Sequence, residues 1–150
     1  GLSLANGAAL AAKYDLLDSC YYVMLGDGEI QEGQVWEAAM TSSDHDLDNV
    51  CAILDANSIQ LDGPVDSVKS LGDINAKWRA FGWHVIDIDG HDMQEVDEAL
   101  TQAKSTIGRP TLVIARTVKG KGVSFMENTS KYHGLAPTDE ELELALEELR

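Results

Sequence analysis

The chain has 150 residues, a length that fits one domain with one substantial core. Its formal charge of −15 argues against nucleic acid or an anionic membrane as partner. With 44% hydrophobic residues and three Trp it reads as globular, and no apolar run approaches the ~20 residues that span a bilayer.

In chain order, Gly1 to Tyr14 is rich in Ala and Leu and reads as a helix. Cys20 to Leu25 is a short, mostly apolar run and reads as a buried strand. Gly26-Asp27-Gly28-Glu29 follows, and from about Ile30 to Ser42 the composition turns helical, with Trp36, Ala39 and Met40 on an apolar side. An acid between two glycines thus sits where a strand gives way to a helix. Ligands of open α/β sheets bind beyond the carboxyl ends of the strands. Glycine lets a ligand approach the backbone, and a helix start offers free N–H groups to an anion. A carboxylate there repels a bare phosphate, so the local reading is a phosphate bridged to Asp27 by a cation; a plain D-G turn is the competing reading.

Glu32 and Glu37 are about 140° apart around a helix and read as solvated charge. Asp44-His45-Asp46-Leu47-Asp48 has neither the Gly nor the Glu of a Ca²⁺ loop and reads as an acidic turn. Val50 to Asp55 is a second buried strand. Both cysteines, Cys20 and Cys51, fall in buried strands by this reading, as thiols rather than a disulfide framework. If the two strands are parallel neighbours, Asp27 and Asn57 both lie at their carboxyl ends, about 30 residues apart, the length of a βαβ unit. A charged oxygen and an amide oxygen suit Mg²⁺ or Ca²⁺.

Leu61 to Leu71 reads as turns. Asp73 caps a short helix carrying Ile74, Trp78 and Phe81, stopped by Gly82. His84 to Asp89 is a third strand. Asp92 with Glu95 starts a helix with Met93, Val96, Leu100 and Ala103 on its buried face, broken at Gly108-Arg109-Pro110. Thr111 to Arg116 is a fourth strand. The alternation argues for an α/β fold, a mostly parallel sheet covered on both faces. Lys119, between Val118 and Gly120, is either a phosphate ligand or part of a flexible basic loop. A lone His such as His133 is usually structural or exposed. Thr138 and Glu141 form a capping-box pattern for a last helix, with Leu142, Ala145, Leu146 and Leu149 at helical spacing.

G-D-G followed at this distance by Asn57 resembles the thiamine diphosphate motif. G-D-G-E-I-Q-E-G-Q-V-W-E-A-A-M, L-D-N-V-C-A-I-L-D-A-N-S-I-Q-L-D-G, W-R-A-F-G-W-H-V-I-D-I-D-G-H-D, T-V-K-G-K-G-V-S-F-M-E-N and Y-H-G-L-A-P resemble transketolase along nearly the whole chain. The nearest form is the N-terminal subunit of split transketolases. The resemblance implies a three-layer αβα sandwich, the diphosphate-binding domain of the thiamine diphosphate fold. It implies thiamine diphosphate bound near Gly26, Gly28, Glu29, Asn57, Lys119 and His133, and Mg²⁺ (or Ca²⁺) held by Asp27, Asn57 and the Ile59 carbonyl. His133 is the implied catalytic contact, and Glu32 and Glu37 are acids near a dimer interface. The implied reaction passes a two-carbon ketol unit from a ketose phosphate to an aldose phosphate in carbohydrate metabolism, the pentose phosphate pathway. The implied partner is a pyrimidine-binding transketolase subunit, in a homodimer or heterotetramer in the cytoplasm, without which the chain is expected to be inactive. A Gly-rich segment, a strand and histidines precede this helix in the family, so residues 1–150 are expected to be one N-terminally truncated domain. Two alternatives stand: the α-subunit of a 2-oxo acid dehydrogenase, which usually shows two adjacent Asn where Asn57-Ser58 stands, and a non-catalytic fragment that keeps only the fold.

Overall fold

The computed structural model describes all 150 residues. Four parallel strands make the sheet: β1 (Tyr21–Gly26), β2 (Val50–Ala56), and, later in the chain, His84–Asp89 and Thr111–Arg116. A two-stranded hairpin lies between them, β3 (Ile59–Gln60) and β4 (Gly63–Pro64), so the last two sheet strands are β5 and β6. The spatial order is β1-β2-β6-β5. Six helices accompany the strands: α1 (Leu2–Tyr14), α2 (Gly33–Asp44), α3 (Val65–Lys69), α4 (Ile74–Ala80), α5 (Met93–Ser105) and α6 (Asp139–Glu148).

Three layers result, as the strand–helix alternation predicts. The larger core cluster joins Leu2 and Ala9 of α1, Val35, Ala38 and Ala39 of α2, and Trp78 of α4 to Leu25, Leu54, Leu112 and Ile114 of the sheet. On the other face, Ala99 and Ala103 of α5 pack on Cys51, Ile88, Val113 and Ala115. This second layer is a single helix, and it lies over β5 and β6. The face of β1 is therefore open, leaving Tyr22 51% and Met24 62% exposed. The expectation of a buried first strand is corrected accordingly: β1 is an edge strand with alternating burial, and its aromatic run does not distinguish an edge from a centre.

Other boundaries shift for local reasons. Cys20 precedes β1 and is exposed, while Cys51 alone of the two thiols is buried. Met40 lies on the outer side of α2 and is 53% exposed; Val35, Ala38, Ala39 and Ser42 form the inner side. Leu61 to Leu71 holds more than turns, because a two-residue strand and the five-residue α3 lie within it, too short to carry a period. Asp73 caps α4 by accepting from Ala76 N, and Gly82 takes φ +86° just beyond it, as read from the sequence. The Thr138–Glu141 box at α6 is reciprocal. At α5, Asp92 accepts from Gln94 N and Glu95 N, but Glu95 reaches past it to Asp89 N, so that pair is not a reciprocal box. No helix is long and apolar enough to cross a membrane.

A buried polar clasp fixes α1 on α2. Asn6 Nδ2 donates to the Ala38 carbonyl (2.8 Å) and accepts from Ser42 Oγ at its Oδ1 (2.8 Å). Nearby, Trp36, Trp78, Trp83 and Phe81 stack at centroid distances of 4.8–5.3 Å. Trp36 Nε1 donates to the Ile30 carbonyl (2.8 Å), which ties the turn after β1 to α2.

Candidate functional site: a cleft at the carboxyl ends of three strands

β1 and β2 pair in parallel with Gly26 opposite Asp55, which brings Gly26–Glu29 and Asn57–Gln60 side by side at one rim of the sheet. β6 pairs with β2 on the other side and sends Thr117 to Gly120 to the same rim. Between these loops is a cleft of about 430 Å³. Its lining includes Gly26, Asp27, Gly28, Glu29, Asn57, Ile59, Lys119 and His133, eight residues singled out from the sequence. Asp55, Gln60 and Leu61 complete it.

Asp27 is 4% exposed. One carboxylate oxygen accepts from Gly28 N (2.8 Å) and the other from Ser58 N (2.5 Å). Burial raises its carboxyl above the usual aspartate range and the Asp55 charge adds to this, while the two backbone donors pull the other way. A cation at the cleft would relieve the repulsion between the two acids. Asn57 Oδ1 accepts from Ile59 N (2.9 Å), and its Nδ2 donates to Asp55 (2.9 Å). Ser58, between them, takes φ +64°, a left-handed kink that turns the chain out of β2 into the hairpin.

At Gly28 the close neighbour is the Gln60 side chain. A Cβ there would lie 2.7 Å from Gln60 Oε1 and 2.9 Å from Gln60 Cβ, so the two loops close only around glycine. The element after the motif differs from the expected helix start. A 3₁₀ turn over Glu29–Gln31 comes first, and α2 begins at Gly33 with Glu32 as its N-cap residue. The N-terminus of α2 thus lies six residues beyond Asp27 in the chain. Glu29 folds back, its carboxylate accepting from Gly26 N (3.1 Å).

Lys119 reaches the cleft from a loop with a sharp fold. Gly120 has φ +75°, and a Cβ there would strike the Met126 carbonyl. His91, unassigned from the sequence, anchors this loop, its Nε2 accepting from Val118 N (2.8 Å). His133 is exposed in a 3₁₀ turn (Lys131–His133), braced by Tyr132 packing edge-on against Phe125 and by a Lys131–Glu141 ion pair (2.7 Å). Glu32 and Glu37 lie outside the cleft, both exposed. Glu37 borders a separate shallow groove between α1 and α2 with Ser3, Asn6, Gly7 and Gln34.

No group of three or more His, Cys, Asp or Glu side chains is placed to hold a metal. The donors at this cleft are of a different kind: the buried Asp27 carboxylate and the Asn57 amide oxygen, with Lys119 also in the lining. Such a set suits a hard divalent cation whose remaining ligands come from an anionic oxygen compound.

Residues 2–149 match the profile of the transketolase thiamine diphosphate-binding domain. The chain belongs to this family. It is 44% identical over 149 residues to the 6-deoxy-6-sulfo-D-fructose transketolase subunit SqwG of Clostridium sp. (strain MSTE9), covering 99% of this chain and 54% of that one. It is 42% identical to one of the subunits of the apulose-4-phosphate transketolase of Phocaeicola vulgatus, covering 99% and 53%. Among solved structures, the transketolase of Campylobacter jejuni superposes with a TM-score of 0.91 at 36% identity, over 98% of this chain and 24% of that one. The chain thus spans about half the length of these two relatives.

Proposed function

We propose that this chain is the diphosphate- and metal-binding half of a transketolase that moves a two-carbon ketol unit from a ketose phosphate to an aldose phosphate. The observation that carries the reading is the convergence of Asp27, Asn57, Ile59, Lys119 and His133 on one cleft at the carboxyl ends of β1, β2 and β6. Asp27 and Asn57 side-chain oxygens, with the Ile59 carbonyl, would hold Mg²⁺, and diphosphate oxygens would complete its shell. The family match supports thiamine diphosphate as the source of those oxygens. Bound there, the cofactor supplies the carbon nucleophile that carries the two-carbon fragment.

The chain's own residues bind and orient. Gly26 and Gly28 give the diphosphate access to the backbone. The Lys119 ammonium offsets its charge. The His133 imidazole stands at the cleft mouth, where it would donate a hydrogen bond to the diphosphate or to a substrate hydroxyl and stabilise charge that develops there. Glu32 and Glu37, exposed and outside the cleft, are proposed as acids at a contact with a second subunit.

Both named relatives are called subunits. We therefore assign the pyrimidine half of the cofactor, and the glutamate that activates it, to a partner chain. Two free cysteines fit a reducing, cytoplasmic setting. A coupled transketolase assay tests the proposal, run on this chain, on this chain with a pyrimidine-binding subunit, and on an N-terminally extended chain with that subunit. Activity only with the partner supports it. Robust turnover by the 150 residues alone would place the activating acid elsewhere.

A further inference from the structure

We propose that Asp55 is a positioning residue that fixes which end of the Asn57 amide faces the cation, an inference that rests on the metal reading above. Asp55 stands at the last-but-one position of β2, beside Gly26 on β1 and Ala115 on β6. Its two carboxylate oxygens are both engaged. Oδ2 accepts from Asn57 Nδ2 (2.9 Å), and Oδ1 accepts from Thr117 Oγ1.

The Asn57 amide has an oxygen at one end and an NH₂ at the other, nearly equal in shape. Its two neighbours make opposite demands. The Asp55 carboxylate, accepting through both oxygens, requires the NH₂ end. The Ile59 N–H donates only, and so requires the oxygen, which it meets at 2.9 Å. Turning the amide over would set oxygen against carboxylate and NH₂ against N–H, two repulsions in place of two bonds. Oδ1 is thereby held on the Ile59 side of the cleft with a second lone pair free for a cation. Thr117 braces the carboxylate from the loop that follows β6 and also carries Lys119, so the orientation depends on β6 as well as on β2. Groups that orient a metal ligand typically change metal affinity by about 10–100-fold when removed.

Two substitutions separate orientation from charge. Asp55→Asn keeps an acceptor for Asn57 Nδ2, while Thr117 Oγ1 turns to accept from the new amide. Asp55→Ala removes both contacts. Hydrogen exchange of the Asn57 side-chain amide, read by ¹⁵N–¹H spectra of the metal-free chain, needs neither cofactor nor turnover. Protection is expected in the wild type and in Asp55→Asn, and loss of it in Asp55→Ala. Should Asp55→Ala fail to fold, Thr117→Val releases one side of the brace and is expected to lower the protection in part. Mn²⁺ binding with inorganic pyrophosphate, followed by water-proton relaxation, is expected to weaken by about 10–100-fold in Asp55→Ala and by only a few-fold in Asp55→Asn. Free exchange in the wild type, or equal protection in wild type and Asp55→Ala, overturns the positioning role. Equal weakening of Mn²⁺ binding in both Asp55 variants also overturns it, since charge alone would then be acting. Protection as expected with no Mn²⁺ binding by the wild type, alone or beside a pyrimidine-binding subunit, leaves the amide contact standing and refutes the metal reading instead.

Discussion

Asp27 is the residue on which the site depends most. Its side chain joins the two loops through Gly28 N and Ser58 N, and it is the one buried carboxylate of the cleft. Asp27→Ala is expected to abolish Mg²⁺-dependent cofactor binding while the circular dichroism spectrum stays native. Ile59→Leu, which alters no backbone carbonyl, is expected to be nearly silent in the same titration. Asp27 and Asn57 are legible in the sequence because they carry charge and amide at strand ends. Asp55, Thr117 and His91 are not, because each acts through a neighbour and nothing in the chain text marks that contact. The cysteines divide in the same way. Burial, with a smaller effect from Cys20, pushes the Cys51 thiol up to about 12, so it stays protonated and shielded. A disulfide reagent at neutral pH is expected to titrate one thiol, Cys20, in the native chain and two after denaturation. Equal, fast reaction of both thiols in the native chain would contradict this burial.

At the scale of elements, α6 behaves differently from its sequence pattern. Leu142, Leu146 and Leu149 recur at helical spacing, yet they are 46%, 48% and 61% exposed, and only Ala145 is buried. The helix acts as a clamp on the loop after β6. Glu148 accepts from Ser124 N (2.5 Å) and Ser124 Oγ (2.7 Å), and Glu141 accepts from Lys131. The Lys131 hydrogen bond, followed by the Thr138 backbone N–H, holds the Glu141 carboxyl down at about 2. A depressed acid stabilises the fold above its unfolded value and loses that contribution as pH falls toward the folded one. Melting temperatures of wild type and Glu141→Gln are therefore expected to differ at neutral pH and to converge between about pH 4.5 and 2. The pair is exposed, so the difference is small and shrinks with salt. A gap that persists at the acid end would contradict the assignment. A periodic pattern reveals that a helix forms, but not what covers it, which is why the sequence leaves the cover of α6 open between sheet and partner and misstates that of β1.

Across the whole molecule, the aromatic cluster behind the site links core to function. Trp78 is fully buried between Trp36 and Trp83, and Trp36 in turn holds the Ile30 carbonyl of the turn after the motif. Trp78→Ala is expected to cost about 3–5 kcal/mol in denaturant unfolding. A loss below about 1 kcal/mol would show that the cluster is not the packing centre described here. The layer order and the four parallel strands can be read from runs of apolar residues and the helices between them. The reversal of strand order that puts β6 between β2 and β5 cannot, since it depends on long-range pairing. That reversal brings Lys119 to Asp27, and it is the step that turns three loops into one cleft. The claim that this cleft binds the cofactor through a metal is tested most directly by calorimetric titration of thiamine diphosphate. Wild type and Asp27→Ala would each be measured with Mg²⁺ and with chelator, alone and beside a pyrimidine-binding subunit. Binding by the wild type is expected to require Mg²⁺ and to vanish in Asp27→Ala. Binding that survives either the chelator or the substitution, or no binding by the wild type in any of these settings, would contradict it.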